Sequence, residues 1–150
     1  MAVALIVAAR TSAHPHKRTK TECAGALEAG RELRRSGHLV EATRSLKRCV
    51  DNACGSVARP CRELYTRVQT DTPSVVVSAV DDAGAPVAEV EVTVDGQPFA
   101  PRIDGRARSV DPGWHVFAFT TRGHLAVTER VLVLEGQRNR PVEVQVSPPR

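Results

Sequence analysis

Ser74-Val75-Val76-Val77-Ser78-Ala79-Val80 opens a series of short, β-branched segments, and that series decides the fold of the larger half of the chain. EVEVTV at 89–94, HVFAFT at 115–120, AVTERVLVL at 126–134 and PVEVQV at 141–146 continue it. A period of two sends successive side chains to opposite faces of a strand, so one face can enter a core while the other meets water. Between the segments stand Asp81-Asp82-Ala83-Gly84, Asp95-Gly96, Asp104-Gly105, Pro112-Gly113, Arg122-Gly123 and Glu135-Gly136. These are turn sequences, in which glycine supplies backbone conformations that a Cβ disfavours. Short strands with frequent turn signals and no helical period predict a small antiparallel β-sandwich of about seven strands over residues 71–147.

Upstream of Thr72-Pro73 the period lengthens. Cys23, Ala26, Ala29/Gly30 and Leu33, then Leu39, Ala42, Leu46 and Cys49, recur at helical spacing on either side of Ser36-Gly37. Two amphipathic helices joined by a short turn follow. A third is expected from about Pro60 through Leu64 and Val68, with the proline in the first turn, where a missing N–H costs nothing. The order resembles one tetratricopeptide repeat of about 34 residues, with Gly30 and Ala42 at small-residue sites, Gly37 in the turn and Leu46 at a large site. The usual aromatics are absent. Fewer than three such repeats cannot bury their apolar faces unaided. The whole chain is thus read as α + β in separate units, a helical segment of about three helices at 20–70 and a sandwich at 71–147. The ends are a signal-like or disordered N-terminus at 1–19 and a proline-rich tail at 148–150.

Covalent staples can replace the missing repeats. Cys23, Cys49, Cys54 and Cys61 all lie in the helical segment, an even number with none in the β half. Their spacing lacks the close pairs of most zinc ribbons, and His38 is the one histidine nearby, so disulfides are favoured over a metal site. An antiparallel hairpin brings the start of its first helix to the end of its second, which favours Cys23 with Cys49 and leaves Cys54 to Cys61. Cys23–Cys61 with Cys49–Cys54 competes. Each bridge contributes about 2–4 kcal/mol, comparable to the whole stability of so small a unit. A nucleophilic role for Cys61 with His38 as base is the best catalytic reading, and pairing of all four cysteines opposes it.

Aromatics make up 3% of the chain, so its cores must be built from Val, Leu and Ala. The net charge of +4 hides an asymmetry. Residues 1–70 hold 13 basic and 6 acidic side chains, residues 71–150 hold 8 and 11. An acidic partner would therefore meet the helical half. In the helices, however, Glu28, Glu32, Glu41 and Glu63 interleave with Arg31, Arg34, Arg35, Arg44 and Arg62, the pattern of a solvated face with ion pairs, and no nucleic-acid partner is expected.

The N-terminal AVALIVAA, residues 2–9, with Thr11-Ser12-Ala13 behind it, resembles the apolar core and cleavage region of a signal peptide, although no positive region precedes it. It is too short to span a bilayer, which takes about 20 residues, and no other segment is long and apolar enough. Clustered cysteines and this run together predict export to an oxidising compartment, the periplasm or cell envelope.

Val110-Asp111-Pro112-Gly113-Trp114-His115-Val116, a strand, Arg122-Gly123-His124, a strand, then Glu135-Gly136 and a final strand resemble the PEGA repeat, whose core is a proline-glycine turn before a strand. The wider layout is a cysteine-bearing helical segment, PSVVVSAVDDAG, a VTVDG hairpin, a DG turn and VDPGWH. It is similar to a group of bacterial secreted or envelope proteins that join such a segment to a PEGA-like module. The resemblance implies a PEGA-, immunoglobulin- or prealbumin-like sandwich and a non-catalytic envelope role. In that group a proline-rich stretch and a transmembrane helix often follow. Ser147-Pro148-Pro149-Arg150 reads as the start of such a linker or as a true end.

No acid/base pair, activated nucleophile, metal cluster or phosphate loop stands out, so no enzyme, cofactor or metal is expected. Asp81, Asp82, Asp95, Asp104 and Asp111 read as turn caps beside Gly or Pro rather than calcium ligands. Asp95, Gly96, Asp104, Gly105, Pro112 and Gly113 are expected to be structural turn residues. His115 and His124 lack companions at metal-ligand spacing, and His14-Pro15-His16 reads as part of a processed end. Trp114, the sole tryptophan, is expected to cover one end of the sandwich, with a binding anchor as the alternative. The leading functional expectation is an envelope structural or interaction protein with an unknown protein or polymer partner. The alternative is recognition of an anionic envelope polymer or lipid head group through the basic helical half.

Overall fold

The computed structural model describes residues 19–122 and 126–147. The apolar run 2–9, the small-residue site at 11–13, His14 to Arg18, Gly123, His124 and the tail 148–150 lie outside the described residues.

Among the described residues the helices are α1 (Lys20–Arg35), α2 (Leu39–Leu46) and α3 (Ala58–Asp71), with 3-10 turns over Asn52–Val57. Helix α1 starts at a reciprocal cap: the Glu22 N–H donates to Thr19 Oγ1 at 3.2 Å and the Thr19 N–H to Glu22 Oε2 at 2.7 Å. Helices α1 and α2 pack so closely that a Cβ on Gly30 would lie 2.5 Å from Leu46 Cγ. Ala26, Leu27, Leu39, Ala42, Leu46, Ala58 and Val68 fill the small core between the three helices, together with all four half-cystines.

The cysteine pairing differs from both sequence-based expectations. Cys23 bonds Cys54 and Cys49 bonds Cys61. The hairpin argument stops at the end of α2, whereas the chain turns back through Asn52–Val57, where Gly55 breaks the helical path at φ +56°. That turn folds against α1 and carries Cys54 to Cys23, at a Cα separation of 5.7 Å. Helix α3 then packs along α2 and brings Cys61 to Cys49, at 5.8 Å. The two bridges tie the 3-10 turn to α1 and α3 to the end of α2, so all three helices are held.

The β half forms two sheets among the described residues. One has the order β4 (Arg108–Ser109), β1 (Ser74–Val80), β7 (Arg140–Gln145); the other β3 (Gln97–Ala100), β2 (Glu91–Val94), β5 (Gly113–Thr120), β6 (Val127–Val133). Their inner faces enclose Val75, Val77, Val90, Val92, Phe117, Phe119, Val131, Val133, Val142 and Val144. Phe99 meets Phe117 edge to face at 5.9 Å between centroids. Asp95 and Gly96 turn β2 into β3 with φ of +52° and +78°, the paired positive values that a two-residue hairpin requires. Pro98 and Pro141 both sit on edge strands, where an absent N–H breaks no ladder.

One sheet departs from the antiparallel expectation: β1 and β7 run parallel, Val75 opposite Arg140 through Val80 opposite Gln145. The cause lies at the end of α3. Strand β1 leaves that end directly, and the turn before β7 is bound to the same end. The Gly136 N–H donates to Asp71 O at 2.6 Å and Arg138 Nη2 to Gln69 O at 2.5 Å. Both strands therefore depart from one anchor in one direction.

A further polar bond joins the helices to the sandwich: the Val40 N–H of α2 donates to Asp111 Oδ1 at 2.8 Å. Within the helical half, Arg34 of α1 pairs with Asp71 at the end of α3 at 3.1 Å.

Candidate functional site

Three places gather chemistry-bearing side chains: the seam around Asp111, the outer face of the four-stranded sheet, and a cleft between helices and sandwich.

At the seam, Asp111 does not cap its own turn. Helix α2 begins at His38, whose side chain makes no capping bond, and the carboxylate of Asp111 caps the helix from the sandwich instead. His38 Nδ1 stands 3.8 Å from Asp111 Oδ2. The carbonyl of Asp111 meets His115 Nε2 at 2.7 Å, and His115 Nδ1 meets Asp95 Oδ2 at 2.7 Å. Asp95 Oδ1 accepts from the Val116 N–H at 2.9 Å. The segment around Pro112-Gly113 is thus tied to the β2–β3 turn on one side and to α2 on the other. Both ring nitrogens of His115 are engaged, which leaves neither free to act as a base toward a bound molecule. Partial burial raises the Asp95 pKa, but the Val116 N–H, the His115 hydrogen bond and the His115 charge outweigh it and hold the carboxyl below the ordinary range.

The other aspartates divide. Asp81 Oδ1 accepts from the Ala83 and Ala85 N–H groups, and Asp104 Oδ1 from the Arg106 N–H, so these two close their own turns. Asp104 also pairs with Arg108 at 2.7 Å. The Arg106 N–H and the flanking arginines hold its carboxyl low against a smaller desolvation. Asp82 accepts from Gln145 Nε2 at 3.0 Å. Among the described residues no three His, Cys, Asp or Glu side chains are grouped to hold a metal ion.

Trp114 corrects an expectation. It covers no end of the sandwich: it is 57% exposed on the outer face of the four-stranded sheet. Strand alternation explains this, because Phe117 and Phe119 point inward and Trp114 and Val116 must then point out. In register with them on β6 stand Leu132, opposite Trp114, and Arg130, opposite Val116. The guanidinium carbon of Arg130 lies 4.5 Å from the Trp114 ring centroid. Leu134 extends the patch and is 56% exposed. The patch borders the helices, since Asp111 and Gly136, bonded to α2 and α3, flank its two strands.

The cleft, of about 380 Å3, lies where α2 and α3 meet β4 and the turn before β7. Hydroxyls line it: Thr43 from α2, Thr66, Thr70 and Thr72 from α3 and its end, and Ser109 from β4; Arg138 closes one side. Nothing in the sequence groups these residues, because they come from four separate stretches. The alternating pattern, by contrast, already contained the signal for the Trp114 face, in the odd-even split between Trp114/Val116 and Phe117/Phe119.

No protein-family model matches the chain, and no curated protein matches it significantly. Two intramolecular disulfides are bonds of an oxidising environment. No helix among the described residues is long and apolar enough to cross a membrane.

Proposed function

We propose that this chain is a non-catalytic, exported module of a bacterial cell envelope, a PEGA-like sandwich that carries a tetratricopeptide-like helical segment and docks a partner protein through the Trp114 face. The exposure of Trp114 carries this reading. A chain with one Trp, one Tyr and three Phe has few rings for its cores, yet its largest stands in solvent beside Val116, Leu132 and Leu134. Exposed apolar patches of this kind mark interaction surfaces. Trp and Arg, here stacked together, are the residues most enriched where binding energy concentrates. The seam supports a rigid adaptor, because Asp111 and the α3 end hold the helices against the sandwich beside that face. Paired cysteines support export.

The second reading, contact with an anionic envelope polymer or lipid head group, is favoured by a different observation. Arg31, Arg34, Arg35 and Arg59 are neutralised by carboxylates, but Arg44, Lys47 and Arg67 have no carboxylate partner among the described residues. These exposed cations would attract an anionic surface in a salt-dependent way.

The test is photo-crosslinking in the native host's envelope, with the reactive group placed at Leu132 or, as control, at Ser78 on the other sheet. The expected result is a protein adduct from Leu132 that Trp114→Ala abolishes, with all four cysteines resistant to alkylation until reduced. Equal adducts from both positions, or four free thiols, would overturn the reading.

A further inference from the structure

The hydrogen-bond valence of the cleft between helices and sandwich is lopsided. Thr43 Oγ1 donates to Leu39 O at 2.9 Å, Thr70 Oγ1 to Thr66 O at 3.0 Å, and Thr72 Oγ1 to Val68 O at 2.6 Å. Each hydroxyl has one hydrogen, and in all three it is committed to a helical carbonyl. What these three side chains can still offer is lone pairs. Their part of the wall is therefore rich in acceptors and matches a ligand that brings several donors, while Thr66, Ser109 and the Gln69 amide can also donate. Beside this wall Arg138 supplies donors and a positive charge. Its Nη2 is held by Gln69 O at 2.5 Å and Thr70 O at 3.3 Å, which fixes the guanidinium at the cleft edge. No carboxylate lines the cleft.

These constraints select a chemical class. Sulfate brings acceptors alone, and phosphate near neutral pH brings only one or two O–H groups, so either would meet mostly lone pair against lone pair along the Thr43, Thr70 and Thr72 hydroxyls. A cationic ligand would meet Arg138 with no acid to balance it. An apolar ligand would cover the remaining lone pairs and the Arg138 guanidinium without satisfying them, which is costly. A ring bearing several hydroxyls and one carboxylate matches both: its O–H groups donate to the threonine oxygens and its carboxylate accepts from Arg138. The volume, about 380 Å3, is near the lower end of ordinary ligand pockets, which run from roughly 300 Å3, and suits a short glycan segment.

We propose that this cleft binds an acidic sugar, a pyranose carrying a carboxylate, within a glycan of the envelope. The proposal rests on the envelope reading and adds a second, small-ligand site beside the protein-docking face. Thr66, Thr70 and Arg138 are its principal contacts, and Ser109, whose hydroxyl keeps its hydrogen, orients the ring from the sheet side.

The experiment is calorimetric titration of the full, oxidised chain with galacturonic acid trimer, the neutral galactose trimer and inorganic phosphate. Saturable binding of the acidic trimer, at least about tenfold tighter than either of the others, is expected, since a fixed guanidinium–carboxylate pair is worth about that factor. Arg138→Gln should reduce the acidic trimer to the level of the neutral one. Arg138 also caps α3, so Thr66→Val, which removes an exposed hydroxyl and no described hydrogen bond, serves as the second variant; it should weaken the trimer with an unchanged melting temperature. Trp114→Ala should leave sugar binding as it is. The proposal is overturned by tighter binding of phosphate, by equal binding of the neutral trimer, by no saturable binding at all, or by loss of binding in Trp114→Ala. A chain that crosslinks through the Trp114 face yet ignores the acidic trimer refutes the cleft alone. Free thiols in envelope-purified protein refute the envelope reading whatever the trimer does.

Discussion

Replacing Asp111 with alanine tests whether the seam is one structural unit or two units in contact. Helix α2 spans Leu39–Leu46, two turns, and its first turn has no side-chain cap of its own. The Asp111 carboxylate supplies that cap at 2.8 Å from the Val40 nitrogen. Loss of an N-terminal cap costs about 0.5–2 kcal/mol, and a negative charge beside the helix start adds about 0.3–1 kcal/mol. The Asp111 side chain is 30% exposed, so solvent screening takes the charge part toward the lower figure, and about 1–2 kcal/mol in all is expected. For a chain of this size that is a fall of roughly 3–8 °C in melting temperature. Calorimetry of the oxidised protein near neutral pH reads it directly. Asp111→Asn keeps an acceptor oxygen and loses the charge, so it should fall by less than half as much. The helical and β signals, followed by far-ultraviolet and Trp114 fluorescence, should still melt together in the parent. If Asp111→Ala melts with the parent, or Asn proves as damaging as Ala, the helix is not capped across the seam.

Disulfide-linked peptides from a non-reducing digest should contain Cys23 with Cys54 and Cys49 with Cys61. Replacing the first pair by serine should cost more than replacing the second, about 3.7 against 2.8 kcal/mol in the loop-entropy treatment, because the bridges span 31 and 12 residues. Urea midpoints rank them. Gly30→Ala should destabilise by about 1–3 kcal/mol, since its Cβ would overlap Leu46 and α1 and α2 must separate to admit it; an unchanged midpoint would show that the helices yield freely. Asp95 titrates below the ordinary range in the folded chain, so its contribution is complete above the unfolded value and is lost as pH falls through the folded one. Melting temperature should therefore drop on acidification below about pH 4, and Asp95→Asn should flatten that limb; an unaltered acid limb in the variant refutes the assignment.

The alternation in SVVVSAV, EVEVTV and HVFAFT marks strands at 74–80, 89–94 and 115–120, and the fold has them at 74–80, 91–94 and 113–120, because a strand's two faces are written two residues apart while its ends depend on its pairing partners. The helical repeats before Thr72-Pro73 were equally legible, as was the hairpin at Asp95-Gly96, since each depends on neighbours within a turn or two of chain. What lay beyond that range was decided by packing. The cysteine pairing followed from where the 3-10 turn and α3 settle, not from the α1–α2 hairpin that local pattern describes. The parallel β1–β7 pair followed from a shared anchor at the end of α3. Asp111 was readable as a capping residue, but the groups it serves, 71 residues earlier in the chain, were not. The hydroxyls of the cleft come from helices and a strand whose nearness no local period encodes. Local periodicity states which face of an element is apolar; it carries no information about which distant element will cover that face, and at this seam the tertiary contacts supplied it.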